Sequence, residues 1–292
     1  MGHRATIVGP NTPFVAPGHR KVILGTRHKD VIVGTKASEW IIGAGGRDVI
    51  DGGGGNDYIF AGNNPSDIKH DSRTTLIGGP GNDYIDGSYA SDLIIGDQAN
   101  LAGSAHGSAG RDKIDGEFGS DTIVGDNYSA FDASGGARDF IRAQEGDDTV
   151  IGDSAVTGSG TAQGGANDHF EASSGKDLVV GDSYSPQGHA IGGGNDKMSS
   201  GPGADLLVGD SLTRSGQAEG GGNDQLHALA GADLMFGDDY ASAGGTFSGG
   251  GRDELGGGPG SDALRGGPAM DLCSGGPGKD SIRRCEGRLV GG

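Results

Sequence analysis

The chain has 292 residues, of which 64 are Gly and 10 are Pro, so roughly a quarter of it lacks a side chain or a freely rotating φ. Only 33% of the residues are hydrophobic and 5% aromatic, which excludes the core of an ordinary globular domain. The formal charge of −18 disfavours nucleic acid and anionic membranes as partners and favours cations. No stretch approaches the roughly 18 consecutive apolar residues of a membrane span, so we expect no membrane insertion.

A nine-residue repeat gives the chain its pattern. The unit KDVIVGTKA (29–37) is followed in one frame by SEWIIGAGG, RDVIDGGGG and NDYIFAGNN. A fixed period of this kind is typical of repeat architectures. The acidic residues of these units are Asp30, Glu39, Asp48 and Asp57, and the apolar residues two positions later are Ile32, Ile41, Ile50 and Ile59.

The repeat divides the chain into an N-terminal arm, one long repeat domain and a short tail. The arm is residues 1–19, the domain 20–285 and the tail 286–292. Within the domain, nonapeptides fill 20–61, an irregular loop follows at 62–73, nonapeptides return at 74–91, super-repeats of 27–29 residues fill 92–252, and nonapeptides with a terminal cap close it at 253–285.

Each super-repeat contains NDxU, a turn, DxUUGD, a polar loop and a short xAxGG row, where U is a large apolar residue. We interpret that row as a weak third strand. A coil is then either three-sided or a two-sided roll with a ten-residue excursion, and we favour three sides. The two expected inward ladders are Ile114, Ile141, Phe170, Met198, Leu226 and Leu255, and Ile123, Val150, Val179, Leu207, Met235 and Leu264, while the third strand would point Ala162, Ala190, Ala218 and Phe247 inward.

Four units match the pattern GGxGxDxUx at every fixed position: GGGGNDYIF (52–60), GGPGNDYID (78–86), GGPGSDALR (257–265) and GGPGKDSIR (275–283). Here the sequence resembles the RTX, or hemolysin-type, calcium-binding repeats, over most of residues 20–285. The resemblance implies an all-β, right-handed parallel β-roll or β-solenoid. Several Ca²⁺ ions would lie in its turns, bound by Asp carboxylates and by carbonyl oxygens of the Gly-rich segments.

The metal ligands that the resemblance implies are one Asp in each turn. They are Asp30, Asp48, Asp57, Asp83, Asp92, Asp112, Asp121, Asp139, Asp148, Asp168, Asp177, Asp196, Asp205, Asp224, Asp233, Asp253, Asp262, Asp271 and Asp280. Some central turns depart from the pattern, because GGARD, GGAND and GGGND are one residue short and others keep only Gly146, Gly175 or Gly231. These departures weaken the prediction of a site there.

Six further Asp residues follow the apolar pair in a Gly-Asp sequence. They are either extra ligands or residues that cap or solvate the turn into the polar loop, and the sequence leaves both readings open. They are Asp97, Asp126, Asp153, Asp182, Asp210 and Asp238.

The energetics of the repeat also favour a cation. Burial of one or two apolar side chains per nine-residue unit offsets only part of the conformational entropy lost when a Gly-rich backbone becomes ordered. Stacked coils would also bring like-charged carboxylates together. The repeating columns contain no His or Cys, so carboxylate and backbone oxygens would form the sites, which suits Ca²⁺ better than Mg²⁺. We therefore expect folding and calcium binding to be one event.

The two cysteines, Cys273 and Cys285, lie twelve residues apart near the end of the chain. Cys273 occupies an apolar repeat position and could be a buried free thiol. We favour a disulfide, which would protect the last coil and indicates an oxidising, calcium-rich exterior. A nonapeptide followed by Cys285 and Glu286 also resembles the ending of secreted actinobacterial members of the family.

These observations predict a secreted, non-enzymatic protein that binds calcium. The chain has no GxSxG, HExxH, Walker A or EF-hand motif. Two alternatives are the repeat region of a secreted hydrolase or epimerase, and an adhesion or ice-binding solenoid. No hydrophobic signal core is visible near the start, so the export route stays open, and the sequence identifies no cell-surface or extracellular partner.

Overall fold

The computed structural model describes residues 21–62 and 72–288. These residues form only β-strands and turns, with no helix among them, as the repeat predicts. The strands are parallel and stack coil upon coil into a β-solenoid. The predicted N-terminal arm lies outside the described residues, as does most of the predicted irregular loop.

Two long sheets, A and B, form the body of the solenoid. Sheet A has 12 strands: β1 (Lys21–Leu24), β3 (Glu39–Ile42), β5 (Tyr58–Phe60), β7 (Tyr84–Ser88), β11 (Lys113–Glu117), β15 (Phe140–Arg142), β19 (His169–Glu171), β23 (Lys197–Gly203), β27 (Gln225–Gly231), β31 (Glu254–Gly256), β33 (Leu272–Ser274) and β35 (Gly287–Arg288). Sheet B has 11: β2 (Val31–Thr35), β4 (Val49–Gly53), β6 (Thr75–Ile77), β8 (Leu93–Ile95), β12 (Thr122–Val124), β16 (Thr149–Ile151), β20 (Leu178–Val180), β24 (Leu206–Val208), β28 (Leu234–Phe236), β32 (Ala263–Arg265) and β34 (Ser281–Arg283).

Two smaller sheets, C and D, accompany the central coils. Sheet C has six strands: β9 (Ala99–Asn100), β13 (Tyr128–Ser129), β17 (Ala155–Val156), β21 (Tyr184–Ser185), β25 (Leu212–Thr213) and β29 (Tyr240–Ala241). Sheet D has six: β10 (Ala105–His106), β14 (Ala133–Ser134), β18 (Ala162–Gln163), β22 (His189–Ile191), β26 (Gln217–Glu219) and β30 (Thr246–Ser248).

The hydrophobic core lies between sheets A and B and receives one inward side chain from most strands. Both predicted ladders are confirmed in register. Ile114 pairs with Ile141 and then Phe170 in sheet A, and Ile123 pairs with Val150 in sheet B. All members of both ladders are at most 1% exposed. Because equivalent residues stack on one another, the nonapeptide and the super-repeat of 27–29 residues together were sufficient to predict this core.

The central coils have four short strands, and the three-sided coil favoured from the sequence is therefore wrong. Between its sheet B strand and the next sheet A strand, each of these coils inserts one strand of sheet C and one of sheet D. We call this insertion the excursion. Sheet C packs against the outer face of sheet B, where Ala155 and Leu212 join a cluster with Val124, Ile151 and Val180. Each central coil is thus a two-sided roll with a two-stranded excursion.

The predicted third row corresponds to sheet D. Ala162, Ala190 and Ala218 are fully buried, as expected. Ala162 packs with Ala133 of sheet D and Val156 of sheet C in a small separate core. Phe247 differs from the expectation, because it is only half-buried and its ring lies 4.9 Å from the Arg265 guanidinium carbon.

A disulfide closes the C-terminal end of the solenoid. Cys273 and Cys285 are bonded, with their Cα atoms 5.9 Å apart, which confirms the predicted pairing. Cys273 is fully buried in the core between the sheets. Strand β35 pairs with β33 directly after the disulfide, so Gly287 and Arg288 still belong to the last coil of sheet A.

Candidate calcium sites

The turns bring the predicted Asp residues into two columns, one at each edge of the roll. The first column lies where the chain passes from sheet A to sheet B, and the second where it passes from sheet B to sheet A. The first contains Asp30, Asp48, Thr74, Asp92, Asp121, Asp148, Asp177, Asp205, Asp233, Asp262 and Asp280. The second contains Glu39, Asp57, Asp83, Asp112, Asp139, Asp168, Asp196, Asp224, Asp253, Asp271 and Glu286.

Each column is ordered by a ladder of side-chain hydrogen bonds. One carboxylate oxygen accepts the backbone N–H of the equivalent residue in the preceding coil. The N–H of Asp83 donates to Oδ1 of Asp112, and that of Asp112 to Oδ1 of Asp139, both at 2.7 Å. Since coils stack at about 4.8 Å, the ladder holds like charges in close succession. The central turns that depart from the sequence pattern form the same bonds, as between Asp139 and Asp168 at 2.7 Å.

The second oxygen of most column carboxylates has no hydrogen-bond partner within residues 21–62 and 72–288. A buried carboxylate oxygen without a donor or a cation is costly, because it has lost its water. The oxygens concerned are Oδ2 of Asp48, Asp83, Asp112, Asp121, Asp139, Asp148, Asp168, Asp177, Asp196, Asp205, Asp224, Asp233, Asp253, Asp262 and Asp271.

Burial raises the pKa of these carboxyls above the usual 3.8. For Asp83, burial and the charges of Asp57 and Asp97 raise the pKa to about 8, against the lowering effect of the Asp57 hydrogen bond. Burial likewise raises the pKa of Asp121 to about 8 and that of Asp48 to about 7. The protein therefore disfavours the charged form of these groups unless a positive charge lies beside them.

Glycines let carboxylate and carbonyl oxygens converge in the turns. A Cβ on Gly125 would lie 2.3 Å from Oδ2 of Asp139 and 1.8 Å from the carbonyl oxygen of Gly152. The same arrangement recurs one coil later at Gly152, at 2.4 Å from Oδ2 of Asp168. The side-chain and backbone oxygens thus approach each other in a space that any larger residue would fill, which fits a hard cation.

Side chains alone do not complete a metal site in the part of the chain that the structure describes, because no group of three or more His, Cys, Asp or Glu residues comes together to hold an ion. Any ion in these turns must therefore take part of its ligands from backbone carbonyl oxygens. A mixed set of carboxylate and carbonyl oxygens is the set that Ca²⁺ prefers. The residues present fit calcium in this respect.

The six Gly-Asp carboxylates act as caps of the excursions. Each accepts the backbone N–H of a residue at the far end of its excursion, eleven to thirteen residues later. Asp97, for example, accepts from Gly110 at 2.8 Å, and Asp210 from Gly222 at 2.8 Å. The cap reading left open by the sequence is thus confirmed, whereas the ligand reading stays a prediction.

Four members of this system were not among the ligands predicted from the sequence. Glu39 and Glu286 occupy second-column positions with a longer side chain, and Thr74 takes an Asp position in the first column. Asp239 is 3% exposed, and its Oδ1 accepts the N–H of Ser211 at 3.0 Å. The nine-residue spacing placed Glu39 at the acidic position of its unit, whereas Asp239 lies off the nine-residue period and gave no signal.

The comparisons with known proteins agree with this geometry. The family model for the RTX calcium-binding nonapeptide repeat matches more than half of the chain, at residues 25–64, 71–100, 104–127, 134–155, 192–211, 220–239 and 247–282. The chain belongs to the RTX calcium-binding repeat family. A search of curated proteins found no significant match. The described residues also contain no helix of the length and apolarity that a membrane span requires.

Proposed function

We propose that this chain is a secreted, non-enzymatic calcium-binding solenoid whose coils form when Ca²⁺ binds in the turns of both Asp columns. The observation that carries the proposal is the set of buried column carboxylates whose second oxygen has no donor among the residues that the structure describes. Family membership implies calcium as their ligand. The column Asp residues would supply one or two oxygens each, and turn carbonyls the remainder.

The role of calcium in folding follows from the charge distribution. Without an ion, each coil added to the stack brings another carboxylate against those already buried, and this repulsion opposes stacking. A divalent ion between neighbouring turns converts the repulsion into attraction. Because the separated turns of an unfolded chain form no site, the free energy of calcium binding contributes to folding.

An extracellular location and a non-enzymatic role are supported by two features. A disulfide closes the last coil, and disulfides persist mainly in oxidising compartments. The carboxylates of the described coils are organised as repeated columns that share one environment, rather than as one unequal pair of the kind that acid–base catalysis uses.

Calcium dependence of the fold tests the proposal. The purified chain is measured by far-ultraviolet circular dichroism at neutral pH in EDTA, in Ca²⁺ and in Mg²⁺ at equal concentration. We expect the β signal to be lost in EDTA, restored by Ca²⁺ and restored much less by Mg²⁺. An unchanged β signal in EDTA, with no calcium uptake in calorimetry, would contradict the proposal.

A further inference from the structure

We propose that the Gly-Asp carboxylates are calcium ligands as well as caps, and that each shares an ion with the second-column Asp beside it at the base of its excursion. This inference rests on the proposed function and deepens it. It assigns to the excursion turns a type of site that a nonapeptide turn does not contain.

The hydrogen bonds across coils show where the extra carboxylate lies in the turn. The N–H of Gly79 donates to the carbonyl oxygen of Asp97, and the N–H of Asp97 donates to that of Asp126, at 3.0 and 3.1 Å. Gly79 is the second glycine of the nonapeptide turn GGPGND (78–83). The Gly-Asp residues thus take the place of that glycine, so each excursion turn carries two carboxylates where a nonapeptide turn carries one.

The two carboxylates of an excursion turn lie close together. Asp126 directly follows Gly125, against which Oδ2 of Asp139 packs. The charges of Asp126 and Asp139 repel each other, and the same holds for Asp97 and Asp112. Each of these four residues is at most 3% exposed. A shared divalent cation would remove this repulsion between two buried carboxylates.

The cap role uses only one oxygen of most Gly-Asp carboxylates. The other oxygen is buried and receives no backbone N–H among the described residues at Oδ1 of Asp126 and Asp153 and at Oδ2 of Asp210 and Asp238. The carboxyl groups of Asp97, Asp126 and Asp153 lie against one another in successive coils. A neutral Asn would make the same cap bond, so capping by itself does not require a carboxylate.

Positive side chains compensate these charges only in part, because the charge of Arg138 lowers the pKa of Asp168. In residues 21–62 and 72–288, the ion pairs found join Arg142 to Asp115 and His169 to Glu171, and neither involves a Gly-Asp or column carboxylate. Both carboxylates of the pair are therefore buried and form no salt bridge with any residue that the structure describes. A divalent cation bound there would join the start of the excursion to the body of the roll.

The test replaces three consecutive Gly-Asp carboxylates by the isosteric amide, as Asp97→Asn/Asp126→Asn/Asp153→Asn. Equilibrium dialysis with Ca²⁺ then gives the number of ions bound per chain. We expect roughly one ion fewer for each altered coil, because the amide keeps the cap but loses the charge that the ion needs. Calcium should also protect the amides of β13, β14, β17 and β18 less from hydrogen exchange in the variant than in the unaltered chain.

A matched control removes three negative charges that lie outside the columns, as Asp51→Asn/Asp132→Asn/Glu171→Gln. It should bind as many ions as the unaltered chain. If the Gly-Asp variant also binds the full number with unchanged affinity, the Gly-Asp carboxylates are caps only and the inference is wrong. If instead the unaltered chain binds no calcium, the proposed function itself fails, so the two failures are distinguishable.

Discussion

At the scale of single residues, the turns are governed by how closely neighbouring coils approach. The backbone of one turn packs directly on the turn before it, which leaves no volume for a side chain at certain positions. A Cβ on Gly81 would lie only 1.5 Å from the carbonyl oxygen of Gly55. Glycine is required at Gly81 by this contact rather than by an unusual φ. Gly54 has no atom closer than 3.6 Å to such a Cβ and is free of this constraint.

Gly81→Ala should therefore destabilise the calcium-loaded protein by about 1–3 kcal/mol, as overpacking does elsewhere. Gly54 lies in the equivalent turn of the preceding coil, and Gly54→Ala should change stability little. Urea unfolding in saturating calcium compares the two variants. If the Gly81→Ala and Gly54→Ala variants unfold at the same urea concentration, the coils can move apart locally. The close contact at Gly81 would then not require glycine.

At the scale of elements, each coil contacts only its neighbours, so the ends of the solenoid depend on local devices. The disulfide between Cys273 and Cys285 joins β33 to the segment before β35 and crosses a loop of twelve residues. A bond closing a loop of this length contributes roughly 3 kcal/mol to stability. The disulfide should therefore stabilise the terminal coil most and the central coils least.

Cys273→Ala/Cys285→Ser should thus accelerate amide hydrogen exchange in β33 and β34, while β19 keeps the rate of the unaltered protein. Amide hydrogen exchange, measured for each peptide of the calcium-loaded protein, gives these rates along the chain. Reduction of the unaltered protein with dithiothreitol serves as the matched comparison. A uniform acceleration in all coils would instead indicate that the solenoid unfolds as a single cooperative unit.

At the scale of the whole molecule, the charge columns make the stability of the calcium-free fold depend on pH. The pKa of Asp83 is about 8 and that of Asp48 about 7 in the fold, against 3.8 when unfolded, and burial is the main cause. Between pH 3.8 and these raised pKa values, the folded state therefore binds more protons than the unfolded state. Its stability is fully present below pH 3.8 and is lost as the pH rises through 7 to 8.

In EDTA we accordingly expect more β structure at pH 5.5 than at pH 8, measured by circular dichroism on the same sample. In the presence of calcium, the dependence of β content on pH should weaken or reverse, because calcium binds the deprotonated carboxylates. Equal β content of the EDTA-treated protein at both pH values would contradict the assignment of the columns as the elements that oppose folding.

Much of the fold and of the candidate site followed from the sequence by itself, because a nine-residue period places equivalent residues in equivalent surroundings. The two inward ladders and the regular Asp members of both columns followed from this spacing together with the super-repeat of 27–29 residues. The disulfide also followed, since both cysteines fall in the terminal repeats. Glu39 and Thr74 were left out of the predicted ligands because that prediction required Asp at every position.

The tertiary structure alone decided the shape of the central coils and the role of the Gly-Asp residues. Sheet C consists of two-residue strands such as Tyr128–Ser129, which form their hydrogen bonds only with strands of neighbouring coils. No local sequence pattern therefore predicts these strands. The cap bond of Asp126 reaches Ala137, eleven residues later, once the excursion has folded back. Periodicity determines which residues are stacked, whereas contacts across an aperiodic loop depend on where the chain returns in space.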